Sequence, residues 1–125
     1  MIKEIVLSTL GHTWILDLDG TIVKHNGYKI DSDDSLLYGA IDFLNSIPQG
    51  DMIIFLTSRE EKYKEQTINF LKNNHIRYDE IIFGAPYGER ILVNDEKPSG
   101  LGMSIGINLK RDQGIYPKVR LDETR

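Results

Sequence analysis

Two carboxylates stand two positions apart where an apolar run ends: Trp14, Ile15 and Leu16 lead into Asp17, followed by Leu18, Asp19, Gly20 and Thr21. Residues related as i and i+2 lie on one side of an extended chain. If the backbone turns at Gly20, both acids can address one small polar centre. A few carboxylates with little else around them suit a hard cation such as Mg²⁺. Asp95, at the end of "ILVND", would complete such a set with Asp17 and Asp19. Without a cation the acids would repel one another and hold protons more tightly. With one, Asp17 can stay ionised as a nucleophile while Asp19 handles a proton. A third polar group, Thr57 with Ser58 and Arg59, follows the apolar "IIFL".

For these clusters to meet, the chain between them must place each at the same edge of a sheet. "TWILDL", "DMIIFLTS", "DEIIFG", "RILVND" and "MSIGINL" read as strands, apolar nearly throughout. Helical patterns separate them: one capped by Ser32, Asp33 or Asp34 and running through Leu44, and one over "EEKYKEQTINFLKNNHI" with Tyr63, Ile68, Phe70 and Leu71 toward the sheet. Apolar strands alternating with helices predict a three-layer α/β/α sandwich around a central, mostly parallel, Rossmann-like sheet of about five strands. In such sheets ligands bind beyond the carboxyl ends of the strands. Asp17 and Asp19, Thr57 to Arg59, and Asn94 to Lys97 all follow predicted strands, so they are expected to converge. Met1 to Leu10 has helical spacing at Ile2, Ile5, Val6 and Leu10. "KHNGYKIDSDD", with its Asn26-Gly27 turn signal, predicts a small projecting hairpin or flap. One domain spans 1–125, with its core at about 12–109 and a polar, loose tail at 110–125.

Plainer roles compete for some of these residues. Thr57 or Ser58 can cap the following helix, Ser58 forming a capping box with Glu61. Asp95 can be a turn residue before Pro98, and Lys97 an ordinary surface lysine. Arg59 is expected to be exposed, with substrate contact at a pocket rim as the functional alternative. His12, His25 and His75 share no metal-ligand spacing, and Trp14 is expected to pack in or beside the sheet.

"DLDGT" after one apolar strand, a threonine after the next, and an acid closing "ILVND" together resemble the haloacid dehalogenase-like superfamily, over roughly Thr13 to Leu109. The resemblance implies a Mg²⁺-dependent phosphatase. In that pattern Asp17 attacks phosphorus and becomes an aspartyl-phosphate, while Asp19 protonates the leaving alcohol and then activates water. The Asp17 carboxylate, the Asp19 carbonyl and the Asp95 carboxylate hold the metal. Thr57 binds a phosphoryl oxygen, with backbone N–H groups near Leu18 and Ser58; Gly20, Thr21 and Arg59 complete the substrate-binding set. Positioning and charge neutralisation of this kind carry most phosphoryl-transfer catalysis. The family's lysine before the acidic strand is missing: Ala85 stands in its place. Lys97 is the first substitute, with Arg90 and Arg59 behind it.

Too few residues separate Thr21 from Thr57, or Gly84 from Ile91, for an inserted cap domain. An open, capless site suits a large substrate, or a small one enclosed by a second subunit of a homo-oligomer. The ending "NDEKPSG…GINL" is similar to small proteins encoded with capsule or lipopolysaccharide sugar genes, which implies a sugar phosphate of surface-polysaccharide metabolism. A polynucleotide or protein phosphatase is the alternative, and a non-catalytic phospholigand-binding protein a third. The 125 residues carry a net charge of −4, 40% hydrophobic and 27% charged residues and no cysteine. This balance disfavours nucleic acid as a partner and excludes disulfides and thiolate metal sites. No apolar run reaches the roughly 20 residues needed to cross a bilayer. With no signal-peptide pattern, a cytoplasmic location is expected.

Overall fold

Strands form in this chain where apolar side chains alternate. The computed structural model describes residues 3–31 and 33–125, so the predicted cap Ser32, and Met1 and Ile2 of the predicted first helix, lie outside it. Glu4–Leu7 is a strand, β1, that buries Ile5 and Leu7. The helical spacing read there gives way to the period of two, which β-branched Ile5 and Val6 favour. Thr13–Leu16 (β2) buries Trp14 and Leu16, and Met52–Leu56 (β3) buries Ile53 and Phe55. With Glu80–Ile82 (β4) they form a parallel sheet in the order β2-β3-β4, Trp14 opposite Ile53 and Leu16 opposite Phe55. Lys118–Leu121 (β5) pairs in parallel with β1, setting Val119 opposite Ile5.

Among the described residues, three helices complete the fold: Gly27–Ile30 (α1), Ala40–Ser46 (α2) and Lys64–Asn73 (α3), the last entered through a 3₁₀ turn at Glu61–Tyr63. The expected helix from Asp33 or Asp34 therefore starts late, at Ala40. Phe43 of α2 meets Trp14 edge to face, ring centroids 5.7 Å apart, and Leu71 of α3 joins Ile53 and Phe55 in the core. The segment expected as a hairpin is closed at its base by antiparallel bonds, Lys24 N–H to Ser35 carbonyl and Leu37 N–H to Ile22 carbonyl. Its tip is the helical turn α1, entered by Asn26 in the left-handed conformation at φ 58°.

The five-stranded, three-layer sandwich is not what forms. The parallel strands divide into sheets of three and two, and "RILVND" and "MSIGINL" contribute to neither. Ile91 and Val93 are 84% and 89% exposed. Their run is short and opens directly into Asn94-Asp95-Glu96-Lys97-Pro98, while Gly100, Gly102 and Gly106 interrupt the second; proline and glycine both weaken strand pairing. The buried faces are also one-sided, for Ile15, between Trp14 and Leu16, is half exposed.

The segment expected as a loose tail instead returns to the core. Ile115 is buried in the main cluster, and its N–H bonds the Tyr38 carbonyl at 3.0 Å. Gly114, at φ 90°, lets the two backbones approach: a Cβ there would sit 2.5 Å from the Tyr38 carbonyl oxygen. At the amino ends of β2 and β3, buried Asp51 accepts bonds from the His12 N–H (3.1 Å) and the Trp14 indole (2.9 Å), and its other contact is His12 Nδ1 at 2.8 Å. Burial works against the Asp51 charge, but these bonds outweigh it and hold its pKa below the ordinary 3.8.

Two outcomes follow from this packing. Gly114→Ala combines a left-handed backbone with a steric clash and should destabilise the protein by about 2–4 kcal/mol in urea unfolding. Because the folded pKa of Asp51 is depressed, its stabilisation is fully present above pH 3.8 and is lost as pH falls through the lower folded value. Asp51→Asn should therefore flatten the acid limb of a stability–pH profile measured below pH 4.

Candidate active site

The chain leaving β2 turns immediately. The Leu18 carbonyl accepts the N–H groups of Thr21, Ile22 and Val23 at 3.2, 2.9 and 3.1 Å, and Gly20 takes φ 85° to close the turn. Leu18, Ile22 and Val23 are buried, which clamps the loop to the core and leaves the Asp17 and Asp19 side chains on its outer side. Asp17 is about one-third exposed and Asp19 about one-sixth. The carboxylates therefore differ in access: Asp17 is the more open to solvent, and Asp19 the more sheltered.

Asp17 has two donors. Thr21 Oγ1 donates to one carboxylate oxygen at 3.1 Å, and Arg90 Nη1 to the other at 3.1 Å. Arg90 also reaches Ser58, with Nη2 3.5 Å from Oγ. Thr57 is buried at the end of β3, where its hydroxyl accepts the Arg59 N–H at 3.0 Å. This is a local turn at the sheet edge, and the helices that follow have no side-chain cap. Ser58 Oγ instead donates to the Pro86 carbonyl at 3.3 Å. The loop after β4 is tied to the same edge by Ala85 N–H to Thr57 carbonyl and Gly84 N–H to Arg59 carbonyl.

Arg59 is the main correction to the sequence reading. Expected on the surface, it is 2% exposed, and all five of its N–H donors are matched. Nε and Nη2 donate to the two oxygens of Asp19, each at 3.0 Å. Nη2 and Nη1 donate to those of Asp34 at 2.6 and 3.0 Å, and Nη1 also to Thr67 Oγ1 at 2.9 Å. The guanidinium carbon lies 4.0 Å from the centroid of the Tyr28 ring. Burial opposes the charge, but hydrogen bonding and attraction from Asp34 and Asp19 prevail and raise the Arg59 pKa. Burial and the Asp19 charge both push the Tyr28 phenol up, keeping it neutral at pH 7.

Asp34, Tyr28, Thr67 and Arg90 thus belong to this site. Arg90 was a runner-up for the cation, Asp34 was read as a helix cap, and Tyr28 and Thr67 carried no sequence signal. Asp95 and Lys97 lie on the exposed segment after β4; Asp95 contacts its neighbour Asn94, and the Lys97 N–H bonds the Leu101 carbonyl. Among the described residues, no hydrogen bond or ion pair links either side chain to Asp17, Asp19 or Thr57. From the other side, Arg111 covers Gly20, its Cγ 3.0 Å from where a Cβ would project. The Asp112 N–H bonds the Gly20 carbonyl at 2.9 Å, and Asp112 accepts the His25 N–H at 2.8 Å.

Asp17, Asp19 and Asp34 against Arg59 and Arg90 leave one net negative charge. The Asp17 carboxylate and the Asp19 carbonyl are hard oxygen donors on one loop, a set that fits Mg²⁺ in part. Among the described residues, no group of three or more acidic, histidine or cysteine side chains is gathered for a metal.

No family model matches the chain, and no curated protein matches it. Among solved structures, it is similar to a chain from the Pnkp1/Rnl/Hen1 complex, at 30% identity over 66% of this chain with a TM-score of 0.52. The match spans 31% of that neighbour's own length. No helix among the described residues is long and apolar enough to cross a membrane.

The Arg59 cluster makes a stability prediction. Arg59→Met leaves Asp34, 1% exposed, and Asp19 facing each other without a counter-charge. Loss of one partner from a buried pair should lower unfolding stability by about 3–5 kcal/mol, measured by chemical denaturation at neutral pH.

Proposed function

We propose that this protein is a phosphatase of the haloacid dehalogenase-like type, hydrolysing phosphomonoesters through an aspartyl-phosphate on Asp17. The observation that carries the reading is the pairing of a reachable Asp17 with a sheltered Asp19 on one turn, beside the Thr57–Arg59 strand end. Asp19 first takes up a proton from solvent; an Asp17 oxygen then attacks phosphorus as the bond to the leaving oxygen breaks, and Asp19 gives that oxygen its proton. Asp19 then takes a proton from the water that attacks phosphorus, releasing inorganic phosphate and restoring the Asp17 carboxylate. Thr21 orients Asp17, and Arg90, one-third exposed, offers its guanidinium to the phosphoryl oxygens. Mg²⁺, held by the Asp17 carboxylate and the Asp19 carbonyl, would neutralise charge on the transferring phosphoryl group.

For the substrate, the end of a phosphorylated polynucleotide stands ahead of a small sugar phosphate. The solved-structure neighbour, a chain of the Pnkp1/Rnl/Hen1 complex, supports this order. The site itself supports it too: Arg90 and Arg111 flank the Asp17–Gly20 turn. These local cations offset the acidic character of the whole chain, for phosphate contacts depend on nearby charge. The net charge of −4 favours the sugar phosphate as the second reading.

The test is phosphate release from oligonucleotides phosphorylated at the 3′ or 5′ end, sugar phosphates and phosphopeptides, each with Mg²⁺ and with EDTA. Activity is expected with Mg²⁺ alone, fastest on an oligonucleotide end, and Asp17→Asn should lower it at least about 10³-fold. Turnover that Asp17→Asn leaves intact would remove the aspartyl-phosphate reading. Ligand-induced thermal stabilisation without any release would identify a phospholigand-binding protein instead.

A further inference from the structure

A general acid is effective only when its carboxyl is held toward the leaving oxygen, and among the described residues the Asp19 side chain has one hydrogen-bond partner, Arg59. We infer that Arg59 is a positioning residue, fixed by Asp34, Tyr28 and Thr67, that sets the orientation of the Asp19 carboxylate for proton transfer; this rests on the phosphatase reading above.

The geometry carries the inference. Nε and Nη2 of Arg59 meet the two Asp19 oxygens at 3.0 Å each, a fork that allows the carboxylate one plane and one rotation. A fork can orient its partner only if it cannot turn itself. Asp34 grips the opposite edge of the guanidinium through two further bonds, Thr67 takes the remaining N–H, and Tyr28 stacks on its face. Thr67 is fixed in turn by its own donation to the Tyr63 carbonyl at 2.8 Å. Tyr28 and Asp34 both belong to the 22–37 flap, whose base is pinned by the bonds between Ile22–Lys24 and Ser35–Leu37. Val23 at the flap base pairs with the Asp19 backbone, but the flap reaches the Asp19 carboxylate through Arg59. Displacing the flap tip removes Asp34 and Tyr28 from Arg59, and the hold on the Asp19 carboxylate loosens.

Nucleophilic attack by Asp17 needs none of this, which gives the test its discrimination. A p-nitrophenolate leaves without a proton, whereas an alkoxide requires one. The measurement is kcat/KM, which covers the steps up to alcohol release, on p-nitrophenyl phosphate and on an alkyl phosphate, with thermal melting of each variant in parallel. Asp19→Asn sets the scale: about 10²–10³-fold loss on the alkyl ester and little on the aryl ester. Arg59→Lys, which cannot form the fork, and Asp34→Asn should each lose about 10–100-fold on the alkyl ester and less than about threefold on the aryl ester. Thr67→Val removes a single bond and is the mildest change to the fold; it should show the same preference at about threefold.

Equal losses on both esters in Arg59→Lys, Asp34→Asn and Thr67→Val would overturn the inference, because a merely structural role lowers both alike. Unchanged alkyl-ester turnover in all three would overturn it too. If Asp19→Asn itself fails to discriminate between the esters, the assignment of Asp19 as the acid falls, and the role of Arg59 with it. That result is distinguishable from a failure of Arg59 alone, in which Asp19→Asn discriminates and the other variants do not.

Discussion

Arg59 is a full charge placed where almost no water reaches it, and much of the local structure follows from that. An unpaired guanidinium in such a place would cost several kcal/mol. Its five donors are instead drawn to groups from separate parts of the chain, Asp19 after β2, Asp34 from the flap and Thr67 from α3, while Tyr28 of the flap lies against its face. Ion pairs of this kind add little net stability compared with apolar packing, because desolvation consumes most of the attraction. What they impose is geometry. Four segments must arrive at one point in one orientation, and any that misses leaves a buried charge or donor unmatched.

The same sheet shows how differently its two ends use charge. At the amino ends of β2 and β3, buried Asp51 is ringed by His12 and Trp14, and its bonds join neighbouring strands. At the carboxyl ends, the carboxylates outnumber the guanidiniums, and Asp17 remains one-third exposed. The contrast follows from the direction of parallel strands, whose loops at the carboxyl end are free to diverge from the sheet and shape a site. Satisfied acid at one end supports the fold; at the other, Asp17 stays open to solvent.

How much of this could be read from the residues depends on the range of the interactions involved. The grouping of Asp17 and Asp19 with Thr57 was legible, because it needs only two adjacent parallel strands ending at one edge. The burial of Arg59 was not, because it depends on Asp34 from a flap whose path no local pattern specifies. Asp34 looked like a helix cap, since a short acid before an apolar stretch serves equally well as either. β1 was misread because Ile5, Val6 and Leu10 fit the helical spacing as Ile5 and Leu7 fit the strand period, and only pairing with distant β5 decides between them. The fourth and fifth expected strands failed for the opposite reason: their apolar residues suit strands, yet neither has a partner ladder in this structure.

A second guanidinium, that of Arg90, meets the loop after β2 at Asp17. Arg90 lies just beyond Gly88 and Glu89 in the loop after β4, and it reaches Asp17 at 3.1 Å without being buried. A lysine there would be a single point charge, whereas a guanidinium can give one nitrogen to a carboxylate and another to a second acceptor. Arg90 already does so, with Nη1 on Asp17 and Nη2 toward Ser58. Arg59 and Arg90 thus divide two tasks between identical side chains. The buried one has every donor matched and serves to hold a neighbour still. The exposed one meets Asp17 and Ser58 and stays open to solvent. Burial, rather than residue type, separates the fixed charge from the one that solvent can reach.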